Sequence, residues 1–195
     1  MLKAEPDRVV VTPSSCLSAA TWHGAELLIR HAQRVDHGAI GFLTAAAIAD
    51  KHKRGRILVA RANEDQVAWA TWGIAKNRAS INIYQCWTRE DARRLRNALA
   101  LVETLNATAR VQRLPALALW CAADLEAVTF WKALGFHPVA KRKGGARRHR
   151  LHVRLIRPVT AVFNLPPAPA ATIAASELDA LPTLAPASQR QFHLA

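Results

Sequence analysis

Leu117-Ala-Leu-Trp120-Cys-Ala-Ala-Asp124-Leu-Glu-Ala-Val-Thr-Phe-Trp131-Lys-Ala-Leu-Gly135-Phe-His-Pro-Val139 is the stretch on which the fold turns. A short apolar run leads to an acid, an amphipathic segment follows, and a glycine closes it before a second apolar run. The pattern predicts a strand, a helix and a strand joined tightly. Asp124 suits the N-cap, where a carboxylate accepts from the first-turn amides. Leu125, Val128 and Leu134 recur at helical spacing, and Gly135 stands where a left-handed residue ends a helix.

Working outward, Asp7 to Val11 reads as a first strand and Ala19 to Gln33 as a helix with Trp22, Ala25, Leu28 or Ile29 and Ala32 on one face. Val35 to Gly41 reads as a loop and Phe42 to Lys53 as a second helix. The basic cluster Lys51-His-Lys-Arg54 at its end suits the helix dipole. Arg56 to Ala62, Gln66 to Ala75 and Ser80 to Trp87 form an antiparallel meander with short polar turns. A long helix is expected from about Ala92 to Ala109, with Leu95, Leu99, Val102 and Leu105 or Asn106 on its buried stripe. Pro115 separates it from the strand Ala116 to Cys121. That crossover predicts a parallel pair at the centre of the sheet. Phe136 to Lys141 and Arg148 to Arg157 supply the last strands. The expected class is α/β: a mixed, mostly antiparallel twisted sheet with a central parallel strand pair, flanked by helices.

Composition divides the chain at residue 157. The last 38 residues hold six of the ten prolines and ten alanines, so 158–195 is expected to be a largely disordered or extended tail. Residues 1–157 carry 26 basic and 12 acidic residues, a net +14, and His137 to Arg157 contains eight Lys or Arg and no acid. Such a field favours polyanionic partners, DNA or RNA among them. Cys16, Cys86 and Cys121 lie far apart without metal-ligand spacing, so neither a disulfide framework nor a metal site is expected. No apolar run has the length of a membrane span, and the N-terminus lacks the pattern of a signal peptide. A cytoplasmic protein with no membrane partner is the expectation.

Asp124-x-x-Ala127-x-x-Phe130-Trp131-x-x-Leu134-Gly135-Phe136 resembles the C-terminal signature of the GNAT acyltransferases, Asn-x-x-Ala ending in Tyr-x-x-x-Gly-Phe, and the order of elements over 1–157 is similar to theirs. The resemblance implies an N-acyltransferase that uses acetyl-coenzyme A or another acyl-coenzyme A. The family binds the pyrophosphate at the start of the helix after the fourth strand, through Arg/Gln-x-x-Gly-x-Gly/Ala. Arg93, Arg94, Leu95, Arg96, Asn97 and Ala98 stand there, with Arg96 in place of a Gly. A helix N-terminus attracts anions, whereas cations oppose its dipole, so arginines gathered at that end call for a phosphate. Arg96 either grips that phosphate with its guanidinium or closes the loop by its bulk.

The resemblance further implies that a backbone amide at a bulge near Gln85, Cys86, Trp87 and Thr88 holds the thioester carbonyl. Ser80 to Thr88 contains no acid to act as base, and Trp131 occupies the place of the family's acidic Tyr. Tyr84, the only tyrosine, is the remaining candidate for proton transfer. Cys86 is a nucleophile only if neighbouring arginines lower its pKa; otherwise it is a buried strand residue. Asp124 is the position that orients the pantetheine arm in the family, with simple capping as its other reading. Asp36 and His37 fall in the loop bordering the acceptor side. Two further functions fit the same residues. One is a base-modifying enzyme similar in fold to the phage Mom protein; the other is an inactive domain that binds nucleic acid or protein through its basic face.

Overall fold

The computed structural model describes residues 9–63, 65–94, 96–144, 150–159 and 179–183. The chain divides into two compact units, residues 1–118 with 158–161, and residues 119–157 with 162–195. The anticipated tail falls outside the described residues except for 158–159 and 179–183.

The described part of the first unit begins with β1 (Val9–Pro13), which runs two residues past the predicted end at Val11, and passes through a 3-10 turn into α1 (Ala19–Val35). Ser18 caps α1 by accepting from the Thr21 amide, and Ala25, Ile29 and Ala32 form its buried stripe. The expected loop after it contains a single helical turn, α2 (His37–Ile40), and α3 (Ala45–Lys53) follows behind the cap of Thr44. Then come β2 (Ile57–Ala62), β3 (Asp65–Ile74) and β4 (Ile81–Thr88), the predicted meander. β1 pairs with β2, β2 with β3 and β3 with β4, all antiparallel.

On one face Ile57, Val59, Trp69 and Trp87 pack with Ala25, Ile29, Ala32 and Ile48, so α1 and α3 cover this side of the meander. Each indole contributes a large apolar area to that core. α4 (Asn97–Val111) starts five residues after the predicted position, because Glu90–Ala92 form a 3-10 turn and Arg93 is extended. It buries Asn97, Leu101, Val102, Leu105, Asn106 and Ala109; Leu99 is only partly covered, and Leu95 lies outside the described residues. β5 (Ala116–Ala122) follows and runs parallel to β4, completing the order β1-β2-β3-β4-β5.

The second unit contains the end of β5, then α5 (Ala127–Ala133), β6 (His137–Lys143) and β7 (Leu151–Pro158), in the order β5-β7-β6 with β6 and β7 antiparallel. α5 is shorter than the sequence predicts. Its N-cap is Glu126, without a side-chain bond, not Asp124. The Asp124 carboxylate instead accepts from Arg150 Nε at 2.7 and 2.9 Å, a charged partner that outcompetes a local amide. Gly135 closes the helix at φ +78°, as its position predicts. The expected mixed sheet, mostly antiparallel with one parallel pair and flanking helices, is the one observed.

Candidate functional site

β4 carries the predicted bulge, one step earlier than the sequence places it. Thr71 is opposite Gln85 and Trp72 opposite Ile83, so Tyr84 is the extra residue. A bulged residue is left out of the ladder and its side chain is re-aimed. Tyr84 accordingly stands 52% exposed while Ile83 and Gln85 on either side are buried. Its phenol crosses Gly73, where an added Cβ would lie 2.9 Å from Tyr84 Oη. The Cys86 thiol is desolvated and its pKa pushed up to about 12, which removes it as a nucleophile at neutral pH. Thr88 is half-buried, and its carbonyl accepts from Arg93 Nε at 3.4 Å.

Asp36 sits where α1 hands over to α2. Its Oδ2 accepts from Trp87 Nε1 at 2.6 Å and from Arg93 Nη2 at 3.3 Å. Sequence reading places Asp36 in a loop bordering the acceptor side; the structure ties it to β4 across fifty-one positions of chain. The same loop is tethered twice more. Gln85 Nε2 donates to the Ile40 carbonyl at 3.0 Å, and the Leu43 amide donates to Gln33 Oε1 at 2.9 Å. His31 lies edge-on to Trp87, 6.4 Å between ring centres. No periodicity or motif signals any of these contacts.

The turn from β4 to α4 is held by its own side chains. Arg89 donates to Asp91 at 2.6 Å and to Asp65 at 3.4 Å, and holds the Asp91 carboxyl below the usual carboxylate range. Asn97, 1% exposed, donates from Nδ2 to the Ala92 carbonyl at 2.9 Å. Arg94 and Arg96 both take left-handed backbone, φ +66° and +64°, and Arg96 is the N-cap residue of α4. Arg96 thus keeps the conformation for which glycine is suited and adds a guanidinium to it. The first intrahelical bond is Ala100 N to Arg96 O at 3.0 Å, so the amides of Asn97 and Ala98 precede the ladder.

Beside this turn opens a cleft of about 450 Å³, lined by Arg89, Asp91, Ala92, Arg94, Arg96 and Asn97 together with Val9, Ala62, Asn63, Asp65 and Val67. Both lining carboxylates belong to Arg89. Neither Arg94 nor Arg96 has a carboxylate partner among the described residues. Among the described residues, no side chain outside this lining is recorded in the cleft at the helix end. Guanidinium groups and free first-turn amides form a donor set suited to phosphate.

In the second unit Trp131 is 6% exposed and packs edge-on against Phe130 and Phe136, at 5.0 and 5.2 Å. Asp124 is exposed, and Arg150 holds its carboxyl below the usual range. No helix among the described residues is long and apolar enough to cross a membrane.

No family model matches the sequence, and no curated protein matches it. Solved structures do. Ard1 from Thermoplasma volcanium superposes with a TM-score of 0.64 at 20% identity, covering 78% of this chain and 99% of that one. The ribosomal-protein-S18-alanine N-acetyltransferase of Escherichia coli gives 0.59 at 15%, covering 80% and 97%. N-acetylglutamate synthase from Neisseria gonorrhoeae, complexed with coenzyme A and N-acetyl-glutamate, gives 0.62 at 13%, covering 81% of this chain and 37% of its own. This chain has the GNAT fold. Within a GNAT fold, the bulged β4 and the turn into α4 are elements that the sequence resemblance assigns to the acyl donor. They also carry the exposed Tyr84 and, among the described residues, Arg94 and Arg96 without a carboxylate partner.

Proposed function

We propose that the protein transfers an acyl group from acyl-coenzyme A to an amine. The observation that carries this reading is the open cleft at the start of α4, with Arg94 and Arg96 in left-handed turns and without acidic partners among the described residues. The cofactor fits that donor set: Arg94, Arg96 and the amides of Asn97 and Ala98 would hold its pyrophosphate. The backbone of Gln85, Cys86, Trp87 and Thr88 would line its arm. Arg93 is committed to Asp36 and braces the turn. Asp124 and Trp131 enter through the signature alone, Asp124 as the residue that orients the arm and Trp131 at the place of the family's Tyr.

When bound, acetyl-coenzyme A supplies a thioester carbonyl for attack by a neutral amine; an amide bond forms and the carbon–sulfur bond breaks. The chain must then place a proton on the leaving thiolate. Tyr84 is the side chain on β4 suited to that task, since its phenol is exposed at the bulge. Both hydrogen bonds recorded for the Asp36 carboxylate run to Oδ2, from Trp87 and Arg93, and the proton of the acceptor goes to solvent. Calorimetric titration with acetyl-coenzyme A, followed by detection of released thiol in the presence of amines, tests the reading. Binding is expected in the micromolar range typical of substrates, about 1 µM to 1 mM. Absence of heat at millimolar cofactor overturns it.

A second reading, a GNAT-fold enzyme acting on nucleic-acid bases, draws support from Trp120, whose ring lies 4.1 Å from the Arg142 guanidinium and 5.6 Å from that of Arg154. Aromatic rings with arginines beside them stack bases in single-strand binding sites, and Trp120 is half-buried. Mass spectrometry of nucleosides from cells expressing the protein decides it, and unmodified nucleosides remove it.

A further inference from the structure

The cleft at the start of α4 has a direction. Its residues come from β1, β2, β3 and the turn after β4, and none comes from β5. Since β5 lies on the other side of β4 from β3, the cleft runs from Arg94 and Arg96 away from β5. Its volume of about 450 Å³ is that of a site for a whole small molecule, not for two phosphates alone. The far end is apolar. Val9 is directly opposite Ala62 and Ala62 directly opposite Asp65, so the three stand on one face of the sheet. Val67 is the extra residue where the pairing of β2 and β3 slips, and with Ala92 it completes the floor, 3% and 4% exposed. Asp65 and Asp91, the carboxylates of the lining, are engaged by Arg89. Valine and alanine offer phosphate no donor and suit a flat, weakly polar ring. Asn97 adds a second signal. It is 1% exposed, its Nδ2 donates to the Ala92 carbonyl, and its Oδ1 has no partner among the described residues. A buried acceptor left unpaired calls for a donor such as a hydroxyl, which phosphate oxygens do not supply.

We propose that the apolar end of the cleft seats the nucleoside of a nucleoside diphosphate, which in the acyl donor is its adenosine, with the base on Val9, Ala62 and Val67 and a ribose hydroxyl donating to Asn97 Oδ1. The inference rests on the acyltransferase reading for the identity of the ligand; the nucleoside site itself stands on the cleft alone. A pyrophosphate has two ends, and in acyl-coenzyme A one carries the pantetheine arm and the other the adenosine. With the phosphates at Arg94 and Arg96 and the arm along β4, the adenosine takes the side that leads to β3, β2 and β1.

Pyrophosphate and adenosine diphosphate differ by the nucleoside alone. Calorimetry on the full chain is expected to show adenosine diphosphate binding about tenfold tighter than pyrophosphate, although it carries no more charge. Ala62→Phe fills the apolar end and is expected to bring adenosine diphosphate down to the affinity of pyrophosphate, whose own binding stays. Ala62→Leu intrudes less and is expected to give a smaller loss of the same kind; it serves where circular dichroism shows that Phe disturbs the fold. KM for acetyl-coenzyme A should rise about tenfold in Ala62→Phe, with kcat little changed. The proposal fails if adenosine diphosphate binds no tighter than pyrophosphate, or if both Ala62 variants bind it as tightly as the original. Acyl transfer from acetyl-coenzyme A would uphold the acyltransferase reading in that event. If acetyl-coenzyme A neither binds nor reacts, while adenosine diphosphate binds and Ala62→Phe releases it, the acyltransferase reading falls. The nucleoside site then stands, with a free nucleotide as its ligand.

Discussion

At the scale of single residues, Arg96 holds two opposed requirements. A left-handed turn costs a non-glycine residue about 1–2 kcal/mol, yet the same side chain gives the cleft an unpaired guanidinium. Arg96→Gly is therefore expected to stabilise the fold by about 0.5–1 kcal/mol, read as a higher urea midpoint at unchanged slope. It is expected to weaken acetyl-coenzyme A binding about tenfold, since a charge-assisted hydrogen bond of about 1.5 kcal/mol is lost. A variant that loses both stability and affinity would show that the turn depends on the arginine itself. The cysteines give a second test. Burial pushes Cys86 up to about 12 and Cys121 up to about 11, whereas Cys16 is exposed. Raised thiol pKa values favour the folded state below the ordinary thiol value of 9.0, and that contribution is lost as pH rises from there towards about 12. Iodoacetamide at pH 8 should modify Cys16 alone until urea unfolds the chain, which peptide mass spectrometry reads directly. Early modification of Cys86 would reopen the case for it as a nucleophile.

At the scale of elements, the informative contact is the one that fastens α1 and α2 to β4. Trp87 and Arg93 both donate to Asp36, so one carboxylate links the end of a helix, the end of a strand and the turn that bears the cleft. Trp87→Phe removes the indole N–H together with part of the ring's packing in the core; Asp36→Asn removes the charge. Each is expected to cost about 1–2 kcal/mol, and the double variant less than their sum by about 1 kcal/mol. Additive losses in urea unfolding would show that the carboxylate is solvated and the link idle. Nothing in the sequence announces this contact. The meander is legible because Asn63 and Lys76 to Arg78 interrupt runs of strand-forming residues, and α1 because Ala25, Ile29 and Ala32 recur at the right period. α2 is missed because its support is long-range, from Gln33 and Gln85. The start of α4 is misplaced because the pattern of Leu and Val is continuous in period while the backbone reverses twice through Arg94 and Arg96. The bulge is anticipated in kind and displaced in position, since an extra residue at Tyr84 leaves the alternation of Ile81, Ile83, Gln85 and Trp87 intact.

At the scale of the whole molecule, charge is the property that sequence reveals best, and its purpose the one it reveals least. The chain carries 27 Lys and Arg against 14 Asp and Glu, a formal +13. The structure shows that these cations are not alike. Arg30, Arg54 and Arg89 are spent on Glu26, Asp50 and on Asp65 with Asp91, exposed pairs worth about 0–1 kcal/mol each. Arg94 and Arg96 line the cleft, and Lys51 and Arg56 cover rings, without such partners among the described residues. Composition registers the excess; only the fold separates neutralised cations from those left to act on a ligand. A field of this sign should draw phosphorylated ligands in and should fade as ions shorten its range, from about 10 Å at 0.1 M salt to about 3 Å at 1 M. KM for acetyl-coenzyme A is accordingly expected to rise several-fold between 0.05 and 0.5 M sodium chloride, mainly through slower association in stopped-flow mixing. Replacing Arg94 and Arg96 together with glutamine should flatten that dependence, whereas replacing Arg30, which Glu26 already neutralises, should leave it as steep as before. If all three substitutions flatten it equally, the attraction comes from net charge spread over the surface, and the cleft has no privileged claim on the phosphate.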